Sequence, residues 1–297
     1  MRVMAPGKLV LTGAYAVLEG APAIVVAVDR YAVVDTRAPT RVDVSSLYTR
    51  RAGDDGRDDG PGQKLGLGSS AASMVASFGA RALVRGDDPR HAAVRAEIFR
   101  SVRDAHQREQ GGGSGVDVAA SVHGGALRYR LVRDASAKTS EAKIDAVDLP
   151  SGLAFGAFWS GTSARTSELL ARVDALRARG GSGAVFTALR GVAEEASQAV
   201  GDALRFVKQA AAFGRALATL GEAADAPIVP PAFAELATLA EREDAAFLPS
   251  GAGGGDIAVW LGVEAPSEAF LVRAQALSLA ALNLAVDHGG VRPESPS

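Results

Sequence analysis

Lys64-Leu65-Gly66-Leu67-Gly68-Ser69-Ser70-Ala71-Ala72 is the stretch on which the reading of this 297-residue chain turns. A helical pattern follows it, with Met74, Val75, Phe78, Ala82 and Leu83 on one face. Gly66 and Gly68 allow the backbone to approach an anion closely, and the helix start supplies unpaired N–H groups and the positive end of a dipole. Ser69 and Ser70 add hydroxyls able to donate to phosphate oxygens or to ligate Mg²⁺. An ordinary Gly/Ser loop with a serine helix cap has the same composition, so this loop alone leaves both readings open.

Composition narrows what such an anion site can serve. A net charge of −2 gives no electrostatic footprint for nucleic acid or an anionic membrane, so an anionic ligand must be met by local charge. The chain has no cysteine, which excludes disulfides and thiolate metal sites, and His91, His106, His123 and His288 are too scattered for a zinc site. Met1 to Lys8 lacks an apolar leader core, and no uninterrupted apolar span of membrane length occurs downstream. A cytoplasmic protein with neither membrane nor nucleic-acid partners is expected. Only five of its 32 basic residues are lysines, and Lys8 and Lys64 lie inside glycine-containing motifs.

The length suits one large or two modest domains, and two packed lobes are expected. Residues 8 to 35 read as strand, turn and strand, and Gly53 to Gly62 as a solvated, Asp-rich loop. A helix is expected from Pro89 to about Gln110, then a second glycine-rich approach, Gly111 to Gly115, to the lone acid Asp117, then a strand from Ala126 to Val132. The second half reads as a strand over 153–160, helices over 166–178, 185–200, 203–220 and 232–246, a strand over 257–261, and a last helix and strand. Arg292 to Ser297 reads as a disordered tail.

Four segments each place small residues beside one reactive group: Ala5-Pro6-Gly7-Lys8, the loop at 64–72, Gly113 to Ala120 around Asp117, and Ser250-Gly251-Ala252-Gly253-Gly254-Gly255-Asp256. Phosphoryl transfer needs backbone N–H groups, a cation, a Mg²⁺ ligand and a carboxylate, because the protein chiefly positions reactants and neutralises charge. Both the P-loop pattern and the dinucleotide Gly-x-Gly-x-x-Gly are absent, which disfavours the two commonest phosphate-binding folds. Taken singly, Lys8 also fits a surface lysine after a Pro-Gly turn, and Asp117 fits a helix cap. Tyr15 fits core or substrate wall, with core the better fit.

These residues resemble the GHMP superfamily of small-molecule kinases in three motifs, in the family's order. The first is Ala5-Pro-Gly-Lys8 with Gly13-Ala-Tyr15-Ala-Val-Leu, the second Gly66-Leu-Gly-Ser-Ser-Ala71, the third Ser250 to Asp256. Within the superfamily, Lys64 to Ala72, Gly115-Val-Asp117 and Pro249 to Asp256 are most similar to the phosphomevalonate kinase branch. The resemblance implies an α+β two-lobe fold: an N-terminal lobe (1–150) like ribosomal protein S5 domain 2 and a ferredoxin-like C-terminal lobe (151–297). It implies ATP and Mg²⁺, and phosphate transfer to mevalonate 5-phosphate. By carry-over Lys8 and Asp117 are catalytic, and Lys64, Gly66, Leu67, Gly68, Ser69, Ser70 and Ala71 hold ATP, with Ser70 on the metal. Tyr15, Ser114, Arg165, Ser250, Gly251, Ala252 and Gly253 are the candidates for the acceptor, and the molecule is expected as a monomer or homodimer.

A phosphate acceptor is already largely anionic, so a base gains little there, whereas attack of one anion on another demands positive charge. Asp117 is therefore expected to orient Lys8 or help hold Mg²⁺ with a phosphorylated acceptor, and to act as base with an alcohol. Three departures from the family pattern bear on the acceptor: Ala14 where Glu is frequent, Leu248 and Thr162 where lysine is frequent. Arg165, with Lys64, is placed to compensate. A mevalonate or other alcohol kinase is the alternative in the same class; a catalytically silent nucleotide-binding or sensing protein on the same fold is the alternative in another.

Overall fold

The computed structural model describes residues 1–294 apart from 39, 53–57, 111–112, 134–139, 164–165 and 181. The chain runs β1 (Arg2–Thr12), β2 (Ala23–Asp35), β3 (Val42–Asp43), β4 (Tyr48–Ala52), β5 (Asp58–Lys64), α1 (Ser69–Val84), α2 (Ala92–Gln110), α3 (Val116–His123), β6 (Ala126–Arg133) and β7 (Ser140–Val147). It continues β8 (Ala154–Trp159), α4 (Thr166–Ala178), α5 (Gly183–Ala199), α6 (Ala203–Ala223), α7 (Pro231–Glu241), β9 (Ala246–Pro249), β10 (Ile257–Gly262), α8 (Glu268–Ala276), β11 (Ala280–Leu282) and β12 (Arg292–Pro293). Among the described residues no helix is long and apolar enough to cross a membrane.

Two compact units result, and neither is one continuous piece of sequence. Unit 1 comprises Met1–Leu9, Val25–Leu127 and Ala285–Ser297; unit 2 comprises Val10–Ile24 and Arg128–Leu284. The two-lobe division expected at residue 150 differs from these boundaries, because β1 and β2 each contribute residues to both units and the chain returns to unit 1 after Leu284.

In unit 1, α1 packs on α2 and α3. Its buried face is Ala71, Ala72, Val75, Ala76, Gly79, Ala80 and Ala82, whereas Met74, Phe78 and Leu83 are only half-buried. Small side chains let the helices approach closely, so the apolar face expected from residue size is rotated toward alanine. The Asp-rich stretch read as a solvated loop is in part strand: β5 pairs antiparallel with β4, Tyr48 opposite Lys64. Gly53 to Gly56 and Arg57 lie outside the described residues.

The tail reading also needs correction. Arg292–Pro293 forms β12, antiparallel to β1 with Val3 opposite Pro293, and Glu294 N–H donates to Arg2 O at 2.8 Å. Asp287, 5% exposed, accepts hydrogen bonds from Tyr31 Oη, Arg292 and the N–H groups of Gly289 and Gly290. Burial works to raise the Asp287 carboxyl, but the hydrogen bond from Arg292, then those from Tyr31 and the Gly290 N–H, and last the Arg292 charge, together hold it below its ordinary value. The segment then serves α3: Val291 N–H donates to Val122 O, and Arg95 bridges Gly289 O and His123 O. The last carbonyls of a helix have no partner within it, and here a returning strand and an arginine supply the donors. Ser295 to Ser297 lie outside the described residues.

In unit 2, four antiparallel strands are ordered β11-β8-β10-β9. The six residues of β10 are all buried, and α6 and α7 cover β9. Phe158, Phe233, Phe247, Trp260 and Phe270 form the core, in edge-to-face pairs such as Trp260 on Phe270 at 4.5 Å. β7, which pairs with β6, was not anticipated from sequence.

Candidate active site

The strand β1 carries Lys8 inward: the residue is 6% exposed. Its N–H donates to Leu67 O at 2.9 Å, which fixes the strand against the Leu65 to Gly68 turn. The ammonium has two loose partners, Asp117 Oδ1 at 3.8 Å and Gly66 O at 3.5 Å. An ammonium has three donors, and removing it from water is costly unless they are met. Lys8 is thus a buried cation with capacity left for an anion.

Two helices begin beside it. Gly68 is the N-cap of α1, in the left-handed region at φ +77°, and no side chain caps the helix. A Cβ there would crowd the Lys8 side chain, 3.2 Å from Cγ and 3.3 Å from Cε, and the positive φ adds to the preference for glycine. Gly115 caps α3 in the same way, φ +80°, again without a side-chain bond. Asp117 stands in the first turn of α3, its side chain 33% exposed, where a carboxylate favours the helix dipole. It is not an N-cap: that position belongs to Gly115. Ser69 and Ser70, half-buried, open α1, and Ala71 behind them is buried. The Ser69 carbonyl is taken by Ser73 Oγ.

The structure therefore brings Lys8, Gly66, Leu67, Gly68 and Asp117 together within unit 1. Ser114 lies just ahead of α3 and accepts from Val116 N–H at 3.3 Å. Lys64 is exposed at the end of β5. Sequence reading missed Ser121, whose buried Oγ donates to Pro6 O at 2.6 Å and ties α3 to the turn before Lys8. A small polar residue on an apolar helix face was its sole signal.

The third motif belongs to unit 2. Ser250 Oγ accepts from Val10 N–H at 2.9 Å, and Ser250 N–H donates to Ile257 O. Tyr15 is 5% exposed, which places it in the core, and its hydroxyl donates to Ala252 O at 2.7 Å. Gly253 sits at φ +75°, and a Cβ there would lie 2.0 Å from Ile228 O, a distance no packing adjustment relieves. Asp256 N–H donates to Thr162 O and its carbonyl accepts from Ser160 N–H. Leu248 is 1% exposed, on β9 in the apolar interior of unit 2. Arg165 lies outside the described residues.

No protein-family model matches the chain. A phosphomevalonate kinase of Streptomyces sp. (strain CL190) is 28% identical, over 86% of this chain and 88% of that protein. The crystal structure of Streptococcus pneumoniae phosphomevalonate kinase in complex with phosphomevalonate and AMPPNP is similar at TM-score 0.73 and 19% identity, covering 96% of this chain and 99% of the other. Methanococcus jannaschii mevalonate kinase is similar at TM-score 0.68 and 17% identity, over 96% and 98% of the two chains. In its ordered motifs and over nearly its whole length, this chain has the α+β fold of the GHMP kinases, with phosphomevalonate kinases among its relatives.

Proposed function

We propose that the protein is an ATP-dependent small-molecule kinase of the mevalonate pathway, acting on mevalonate 5-phosphate to give the 5-diphosphate. The observation that carries this reading is the buried, under-partnered Lys8 beside the glycine-capped starts of two helices, with Asp117 at 3.8 Å. Such an arrangement concentrates positive potential where anionic reactants meet. The 28% identical Streptomyces relative supports the acceptor.

In this reading the N–H groups and hydroxyls of Ser69 and Ser70 hold the ATP phosphates. No group of three His, Asp or Glu side chains suited to a metal occurs among the described residues; a Mg²⁺ ion would arrive with the nucleotide, and the Ser70 hydroxyl and Asp117 carboxylate are the oxygen ligands that would hold it. When bound, it neutralises phosphate charge and orients the transferring group. An oxygen of the acceptor phosphate attacks the γ-phosphorus while the bond to the β–γ bridging oxygen breaks, and ADP leaves. Lys8 offsets the repulsion between the two anions, and Asp117 keeps the lysine aimed. Because no proton has to be removed from a phosphate, the ion-pair geometry of Asp117 suits an orienting role.

A mevalonate acceptor is the second reading, favoured by the neutral residues Ala14, Thr162 and Leu248, the last wholly within the apolar interior. The two separate in an ADP-release assay with Mg·ATP and mevalonate, mevalonate 5-phosphate, mevalonate 5-diphosphate, homoserine and galactose. Turnover confined to mevalonate 5-phosphate is expected. Turnover of mevalonate without its phosphate overturns the acceptor, and no turnover at all overturns the kinase.

A further inference from the structure

Ser121, 1% exposed on α3, has no part in the reaction scheme, yet its Oγ donates to Pro6 O at 2.6 Å, two residues before Lys8. Four positions separate it from Asp117, which puts the two on one face of the helix, a turn apart. Helix and strand therefore meet twice. Asp117 Oδ1 reaches Lys8 Nζ at 3.8 Å, and one turn further along α3 Ser121 takes the Pro6 carbonyl of β1. The first contact is long for an ion pair, and the second is at the short end for a hydroxyl on a carbonyl.

A loose ion pair does not hold its own geometry, so something else must. Around Ser121 the buried residues of α3 are Val116, Val118, Ala119, Ala120 and Val122, and apolar packing has no preferred direction. Glycine stands at both ends of the helix, Gly115 before it and Gly124 after it. At the far end Val291 N–H and Arg95 take the carbonyls of Val122 and His123. Helix carbonyls lie roughly parallel to the axis, so those bonds fix the height of α3 more than its rotation. A side chain reaches about 6 Å from the axis, and a rotation of about 10° moves Asp117 by about 1 Å relative to Lys8. Misplacement on that scale costs a reaction up to about a hundredfold. On the strand, alternate residues turn their polar backbone groups to one edge. Ser121 grips β1 there at Pro6 O, and Leu67 O takes Lys8 N–H at 2.9 Å. Between them a Cβ on Gly7 would lie 2.8 Å from Leu67 O, so the segment that carries Lys8 is held closely from both helix starts.

We infer that Ser121 is a positioning residue for phosphoryl transfer, whose hydrogen bond to Pro6 O sets the rotation of α3 against β1 and with it the approach of Asp117 to Lys8. The catalytic consequence rests on the proposed reaction; the geometric coupling does not. Ser121 touches no reactant. It acts on Asp117 through one turn of helix and on Lys8 through the Pro6–Gly7 peptide.

The test uses the full-length protein and two variants: Ser121→Ala, which removes the hydroxyl, and Ser121→Cys, which nearly keeps the shape with a weaker donor. A crystal structure of either variant should show Lys8 Nζ and Asp117 Oδ1 about 1 Å further apart than in the wild type, and kcat with mevalonate 5-phosphate should fall about tenfold. KM for ATP and for the acceptor should stay as they are, because no reactant loses a contact. In a Lys8→Met background Ser121→Ala should change kcat by less than about twofold, since no ammonium is left for Asp117 to aim. An unchanged Lys8–Asp117 separation, a full tenfold loss in the Lys8→Met background, or failure of both Ser121 variants to fold overturns the positioning role. A widened pair in the variants, with a wild type that turns over no mevalonate 5-phosphate, leaves the coupling standing and removes the acceptor.

Discussion

The start of α1 in unit 1 and the glycine loop of unit 2 are both rich in glycine, and they are built from opposite materials. Around Gly68 the work is done by charge: a buried lysine, a carboxylate and two helix dipoles, with the backbone arranged to admit them. Around Gly253 the main chain is held by neutral groups, Tyr15 and Ser250 through hydrogen bonds and Ile228 through close packing. The Lys8 charge can be replaced by an apolar side chain of similar volume with little change in packing, because a buried ion whose partners are this loose contributes little net stability. A clamped backbone cannot be altered without disturbing the fold. The two regions should therefore fail differently, one in activity and the other in stability.

The largest effect expected is at Lys8. Lys8→Met, which keeps the buried stem and removes the charge, should lower kcat about a thousandfold, or ~4 kcal/mol of transition-state stabilisation, with the melting temperature within a few degrees of wild type. Asp117→Asn, isosteric and neutral, should lose most activity with an equally intact fold. Activity within a few-fold of wild type in either variant, measured by ADP release, breaks the electrostatic half of the comparison.

Next comes Gly253→Ala. The added methyl would stand 2.0 Å from Ile228 O at a φ of +75°, so main chain must move. A loss of about 3 kcal/mol is expected, seen as a fall of several degrees or more in melting temperature. A variant with wild-type stability and lowered activity would show the loop to be softer than its contacts imply.

The smallest effect concerns acid. Burial, helped by the Arg95 guanidinium, lowers His123 from its ordinary 6.5 to about 4. The unfolded chain then takes up the proton first as pH falls, so stability is complete above about 6.5 and declines from there toward 4. With the ring half-buried, a loss of about 1 kcal/mol is reasonable. His123→Gln should flatten this part of the profile in thermal melts across pH; an unchanged slope would assign the acid sensitivity elsewhere.

That Lys8, Gly66 to Gly68 and Asp117 would meet was legible because an anion site calls for particular types: a lysine after Pro-Gly, glycines and serines at a helix start, an acid after glycines. Helix limits marked by proline and glycine were read well, as with Thr166–Ala178, where expectation and structure coincide. What escaped has physical causes. Ser140 to Val147 alternates polar and small residues and looks like surface, yet it forms β7 beside β6. Asp58 to Lys64 carries the composition of a loop, and its pairing with β4 depends on a partner no local pattern discloses. Tyr15 and Ala252 are joined by a hydrogen bond across 237 positions of sequence, and nothing near either residue announces the other. The Arg292 to Glu294 stretch has a tail's composition but a strand's partners, because β1 and Tyr31 wait for it at the other end of the chain.

That returning segment fixes an order of events during synthesis. Ala285 to Glu294 leaves the ribosome after every residue of unit 2, yet it supplies the donors that complete the end of α3, the helix that bears Asp117. A nascent chain can therefore build the sheet of unit 2 while unit 1 still lacks its closing strand. Closing contacts so distant in sequence form late, which makes the helix that bears Asp117 among the last parts of the protein to be secured.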